Sequence, residues 1–86
     1  MWCTSGVFAT MGNGLAGAIA AKAAFPNCQV WDIVGDGTFA TVMQDTVTTV
    51  QYGIPSTHVV FSNTEFGFIK AEQEDINHSY YGVDFI

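Results

Sequence analysis

One strand-to-helix turn, Gly35-Asp36-Gly37-Thr38, constrains this chain more than any other stretch. It follows the apolar run Val30-Trp31-Asp32-Ile33-Val34, which reads as a buried parallel strand, and it precedes a helical pattern opening at Thr38. A carboxylate is thereby set at the carboxyl end of a strand. Glycine on both sides lets the backbone bend and approach a ligand closely, and the N–H groups opening the next helix point where the oxygens of an anion would sit. Asp36 repels such an anion unless a cation lies between them. Mg²⁺ suits that role, because it prefers oxygen ligands and keeps phosphate oxygens and water in its shell.

A second oxygen donor is then required, and Asn63 supplies it by position. It follows the β-branched and aromatic run Thr57-His58-Val59-Val60-Phe61-Ser62, the next strand signal in the chain. A strand, a crossover helix and a parallel strand put both carboxyl ends on one edge of a sheet. The 25 residues between Gly37 and Asn63 suffice for one helix, one turn and one short strand. The expected fold class is therefore α/β, a partial parallel sheet with crossover helices, in one domain over residues 1–86.

An anionic ligand makes the charge of the chain relevant. Two Lys+Arg stand against eight Asp+Glu, a formal charge of −6, which argues against nucleic acid and against an anionic membrane surface as partners. Cys3 and Cys28 show neither metal-ligand spacing nor a disulfide framework, and free thiols in a cytoplasmic protein are expected. His58 reads as a strand residue and His78 as a loop residue. The uncharged run over 7–21 lacks a basic leader and is too short and glycine-rich to span a bilayer.

Upstream, a glycine- and alanine-rich helix is predicted over 14–24, with Leu15, Ala18, Ile19 and Lys22 at helical spacing and Pro26-Asn27 ending it. It opens on Gly12-Asn13-Gly14-Leu15-Ala16-Gly17, which spells the dinucleotide fingerprint, and Asp36 stands near the distance expected of a ribose-binding acid. A dinucleotide-binding module is thus an alternative. It requires a good strand directly before Gly12, and residues 3–11 are interrupted by polar and glycine residues.

After the turn, a helix is predicted over 39–52, with Val42, Met43, Thr46, Val47, Val50 and Gln51 on its apolar face and Gly53 and Pro55 closing it. Met43 reads as core, and Gln44 and Asp45 as a solvated face. Beyond Asn63, a short helix from about 68 would carry Phe68, Ile69 and Glu72 along one side. That is either an acid beside two large apolar groups at a site, or a plain amphipathic helix with Glu72, Glu74 and Asp75 in water.

The stretches FATMGNGLAGAIAAK, VGDG, MQD, VQYGIP, VVFSN and GFIKAEQED, in that order and interval, resemble the carboxyl-terminal thiamine-diphosphate domain of bacterial pyruvate oxidases. The resemblance implies Mg²⁺ held by the side chains of Asp36 and Asn63 and by the backbone carbonyl of Glu65. It implies a diphosphate cradle of Gly35, Gly37 and Thr38, with Gly67 close by. Ala9 and Met11 would meet the aminopyrimidine, Met11 as the wedge between the cofactor's rings, and Phe68, Ile69 and Glu72 would line the substrate end. The implied reaction is oxidative decarboxylation of pyruvate to acetyl phosphate, CO₂ and H₂O₂, using phosphate, oxygen and FAD.

The family's members are several times longer, and their flavin site and activating glutamate lie in other domains. The chain is therefore expected to be a piece of such an enzyme, inactive and poorly stable alone, with a homo-oligomer or the remainder of the parent enzyme as its partner. A non-catalytic remnant is a further alternative. The segment from Asn77 onward is expected to be a loosely specified tail.

Overall fold

Alternating β-branched and aromatic residues give two short strands, β1 (Trp31–Gly35) and β2 (Thr57–Phe61), in the computed structural model of the chain. They pair in parallel, with Trp31 opposite Thr57 and Gly35 opposite Phe61, so their carboxyl ends finish side by side. Around them run the helices α1 (Asn13–Ala24), α2 (Asp36–Val42), α3 (Thr46–Tyr52) and α4 (Gly67–Asp75), with a single 3₁₀ turn (Met43–Asp45) between α2 and α3. The structure describes residues 1–85. Ile86, the last residue of the expected domain, lies outside the described residues. The architecture is α/β, as its sequence implies.

One face of the sheet is covered. Asp32 and Val34 of β1 point inward, and with Leu15 and Ala18 of α1, Val83 near the carboxyl end and the glycines Gly12 and Gly37 they are the buried residues among those described. Gly14 permits this packing, since a Cβ there would stand 2.5 Å from Val34 Cγ1. Gly12, with φ 89°, lets the chain enter α1 against Val42, whose Cγ1 would be 2.9 Å from an added Cβ. The first two glycines of the apparent dinucleotide fingerprint thus serve close packing, while the third, Gly17, has nothing within 4 Å of its missing Cβ. No strand precedes Gly12 among the described residues, so that alternative loses the element it requires.

The opposite face is bare. Trp31, Ile33 and Phe61 are 64 %, 59 % and 66 % exposed. At the amino-terminal ends of the strands lies a short polar relay: His58 Nδ1 pairs with Asp32 Oδ1, and His58 Nε2 lies 3.1 Å from Ser56 Oγ. Asp32 is only 7 % exposed, and its Oδ2 has no partner.

Three expectations are corrected. The helix expected over 39–52 starts earlier, at Asp36, and breaks after Val42, whose φ of −131° leaves the helical range. Threonine hydroxyls compete for the backbone there, with Thr41 donating to the Gly37 carbonyl, Thr46 to that of Met43 and Thr49 to that of Thr46. Met43, Val47 and Val50, expected as a core face, are exposed, because no second layer covers them. The tail is tied down: Phe66 N–H donates to the Val83 carbonyl and Phe85 N–H to the Thr64 carbonyl, both at 2.7 Å, in an antiparallel bridge between Glu65 and Asp84.

Candidate metal and diphosphate site

Asp36 is the first residue of α2, at the point where β1 ends. Its Oδ1 accepts the Gly37 N–H at 2.8 Å, while Oδ2 accepts the Ser62 hydroxyl at 3.0 Å and the Thr64 N–H at 2.8 Å. The parallel register brings Ser62 and Thr64, just past β2, across to it. Thr64 adopts φ 60°, a left-handed conformation that a β-branched residue resists by about 1–3 kcal/mol, and in it the Thr64 N–H reaches the carboxylate. Partial burial pushes the Asp36 carboxyl up, but the hydrogen bonds from Thr64, Gly37, Ser62 and Asn63 outweigh it and hold the acid below its ordinary range.

Asn63 faces both Asp36 Oδ1 and the Glu65 carbonyl. Seated with its nitrogen inward, the carboxamide donates to Asp36 Oδ1 at 3.3 Å and to the Glu65 carbonyl at 3.1 Å. Turned over, it presents an oxygen at the same place, 3.3 Å from Asp36 Oδ1 and 3.1 Å from the Glu65 carbonyl oxygen. Neighbouring corners of an octahedral Mg²⁺ shell lie about 3.0 Å apart, from a metal–oxygen length of about 2.1 Å. The donor set therefore fits Mg²⁺ in spacing and in chemistry, with one carboxylate and two neutral oxygens. Among the described residues no trio of His, Cys, Asp or Glu side chains offers a competing site for a softer metal.

The loop carrying Asn63 and Glu65 is fastened from behind. Lys70 of α4 donates to Glu65 Oε2 at 2.7 Å and to Asp84 Oδ1 at 2.8 Å, and its Nζ lies 5.2 Å from the Tyr80 ring centroid. The hydrogen bonds it donates to Asp84 and Glu65 raise the Lys70 ammonium's pKa well above its ordinary value. Phe66 packs edge-on against Phe85 at 4.5 Å between centroids, over the space left by Gly37.

Residues 1–85 match the family described as "Thiamine pyrophosphate enzyme, C-terminal TPP binding domain". The chain belongs to this family. The thiamine pyrophosphate-binding domain is 53 % identical over 83 residues to a pyruvate oxidase of Lactiplantibacillus plantarum, covering 95 % of this chain and 14 % of that protein. It is 37 % identical to an acetolactate synthase large subunit of Buchnera aphidicola, covering 92 % of this chain and 15 % of the relative. Its fold matches a Rhodococcus jostii thiamine diphosphate-dependent 4-hydroxybenzoylformate decarboxylase with a TM-score of 0.76 and 28 % identity, over 86 % of this chain and 14 % of that one. The chain thus spans about one seventh of the length of these relatives.

Within the thiamine pyrophosphate-binding domain, Asp36, Asn63 and Glu65 come together, and Gly35, Gly37 and Thr38 lie at the start of α2 beside them. Gly67 opens α4, and a Cβ there would stand 3.5 Å from Asn63 Nδ2. Ala9 and Met11 occupy the loop before α1; Ala9 has φ 47° and donates its N–H to the Ser5 carbonyl, and Met11 is exposed. Phe68, Ile69 and Glu72 all lie on α4 and are exposed, Phe68 at 91 %. Sequence reasoning missed Ser62, Thr64, Phe66 and Lys70. The first two act through a hydroxyl and a backbone N–H, which carry no motif, and the last two depend on contacts with a tail distant in sequence.

Proposed function

We propose that this chain is the segment of a pyruvate oxidase-like enzyme that holds the diphosphate end of thiamine diphosphate through Mg²⁺. The observation that carries the reading is the approach of the Asn63 carboxamide to Asp36 Oδ1 at 3.3 Å and to the Glu65 carbonyl at 3.1 Å, at the carboxyl ends of two parallel strands. Asp36 supplies the one negative charge, kept ionised by its hydrogen bonds, and Asn63 and Glu65 supply neutral oxygens. Gly35, Gly37 and Thr38 would receive diphosphate oxygens, Ala9 and Met11 would meet the aminopyrimidine, and Phe68, Ile69 and Glu72 would face the substrate.

When bound, thiamine diphosphate supplies the electron sink that allows a 2-oxo acid to lose CO₂. This chain's residues bind and orient it, and exposed Phe68 and Ile69 offer apolar cover that would exclude water once the site is complete. The identity to a pyruvate oxidase and the run GFIKAEQED support pyruvate as substrate, with phosphate and oxygen as co-substrates and FAD bound by other parts of the enzyme. The proposed setting is the cytoplasm, within a homo-oligomer or against the remainder of the parent enzyme. Among the described residues no helix is long and apolar enough to cross a membrane.

The test is titration of thiamine diphosphate with and without Mg²⁺ in a full-length enzyme carrying this segment. Binding is expected to require Mg²⁺, to vanish in Asp36→Ala and to weaken in Asn63→Ala. Unchanged binding in both variants would refute the metal assignment. The same enzyme given pyruvate and phosphate should release peroxide and acetyl phosphate, and acetolactate as the product would move the reading to a synthase.

A further inference from the structure

Glu65 poses a problem of charge that the rest of the site has to solve. Its carbonyl faces the candidate cation position, and its carboxylate is tethered to the same residue: Glu65 Oε1 lies 3.8 Å from the point where a Gly67 Cβ would project, and Asn63 Nδ2, at the end of the carboxamide away from the ion, 3.5 Å from that point. Position 67 carries no side chain to separate them. A carboxylate is a stronger ligand for a hard cation than a carbonyl. Two ligand carboxylates would cancel the ion's charge and leave nothing to attract a diphosphate. The site would then bind a bare cation well and the anionic cofactor poorly.

We propose that Lys70, braced by Asp84, is the positioning residue that keeps the Glu65 carboxylate out of the cation site, so that Glu65 offers the ion only its backbone oxygen. Lys70 Nζ holds Glu65 Oε2 at 2.7 Å and is itself anchored by Asp84 Oδ1 at 2.8 Å. Asp84 is fixed in turn, because its backbone bridges Glu65 in the antiparallel pair. The side chains of Lys70 and Glu65 are 28 % and 33 % exposed, and ion pairs in such surroundings add little to stability. Selecting which oxygen of Glu65 meets the ion gives the pair a role that stability alone does not. This inference rests on the cation site proposed above.

The experiment uses a full-length enzyme carrying this segment and two equilibrium readouts. Mn²⁺ binding without cofactor is followed by the paramagnetic resonance of the free ion, and thiamine diphosphate affinity at saturating Mg²⁺ by calorimetry. Lys70→Met is expected to bind Mn²⁺ about tenfold tighter and thiamine diphosphate about tenfold weaker, since affinity follows ligand charge. Adding Glu65→Gln to it should restore both values, and Lys70→Arg should resemble the parent. Asp84→Asn, which keeps Lys70, should shift both in the same directions by less, and serves if Lys70→Met fails to fold. Equal weakening of both affinities, or no change in either, overturns the proposal. Asp36→Ala separates the two levels: loss of Mn²⁺ binding there, with Lys70→Met unchanged, sinks only the role of Lys70, whereas Asp36→Ala binding like the parent removes the cation site and this inference with it.

Discussion

Gly35 and Gly37 flank the same carboxylate for different reasons. A Cβ on Gly37 would stand 2.5 Å from Phe66 Cε1 and 3.0 Å from Phe85 Cζ, so Gly37→Ala must push apart the aromatic pair that backs the Asn63–Glu65 loop. We expect a loss of about 1–3 kcal/mol in unfolding stability and weaker Mg²⁺-dependent cofactor binding. Gly35 has nothing within 4 Å of its missing Cβ and a φ of −79° that any residue adopts. Gly35→Ala should therefore keep the parent's stability to within about 0.5 kcal/mol. Any loss of cofactor affinity in it would report close approach of the ligand to the backbone. Asp36 itself, with a folded pKa lowered below 3.8, contributes stability that is complete above that pH and is lost as pH falls through the lowered value. Acid titration of the carboxyl by NMR should find it still ionised when ordinary aspartates are half-protonated.

Among the elements, β1 and β2 are the pair on which both ends of the structure depend. Their carboxyl ends deliver Asp36 and Asn63, and their amino-terminal ends are locked by the Asp32–His58 contact. His58→Ala would leave a buried carboxylate with neither oxygen paired by a side chain, a loss of about 2–4 kcal/mol. Replacing Asp32 and His58 together by leucine should recover most of it, as urea unfolding of the two variants would show. Both strands, α1 and the meeting of Asp36 with Asn63 were legible in the sequence, because local periodicity and crossover geometry determine them. The Asp32–His58 pair was not, since each reads locally as a lone polar residue in an apolar run. The break after Val42 was hidden for another reason: Val42, Met43, Thr46 and Val47 keep a helical spacing across it, so the pattern reads as one helix although the backbone leaves the helical range at Val42. The pinning of Val83 and Phe85 was illegible because its partners lie about twenty residues upstream.

At the scale of the molecule, the chain is a thin slab, 49 × 27 × 16 Å, with a radius of gyration of 15.0 Å. A globular chain of this length would have about 12 Å. Its accessible surface of 6579 Å² exceeds the roughly 5,000 Å² expected for a folded protein of this mass. Part of the excess lies in the amino-terminal stretch, where Trp2, Val7 and Phe8 are exposed, and part where Trp31, Ile33 and Phe61 lie bare on one sheet face and Val47 and Val50 on α3. Parallel sheets are normally covered on both faces. The 86-residue chain by itself should therefore associate or unfold without a sharp transition, and should release no peroxide from pyruvate. Sedimentation and thermal unfolding would test the first claim, and a cooperatively melting monomer would refute it. The bridge between Glu65 and Asp84 has one more effect. It makes the loop that faces the ion and the segment that follows Gly82 a single mechanical unit, so anything that pulls on residues 83–85 must alter the affinity of the site. Thermodynamic reciprocity then requires that filling the site grip those residues harder. Slower deuterium uptake at the Phe66 and Phe85 amides on adding Mg²⁺ and cofactor would register that grip.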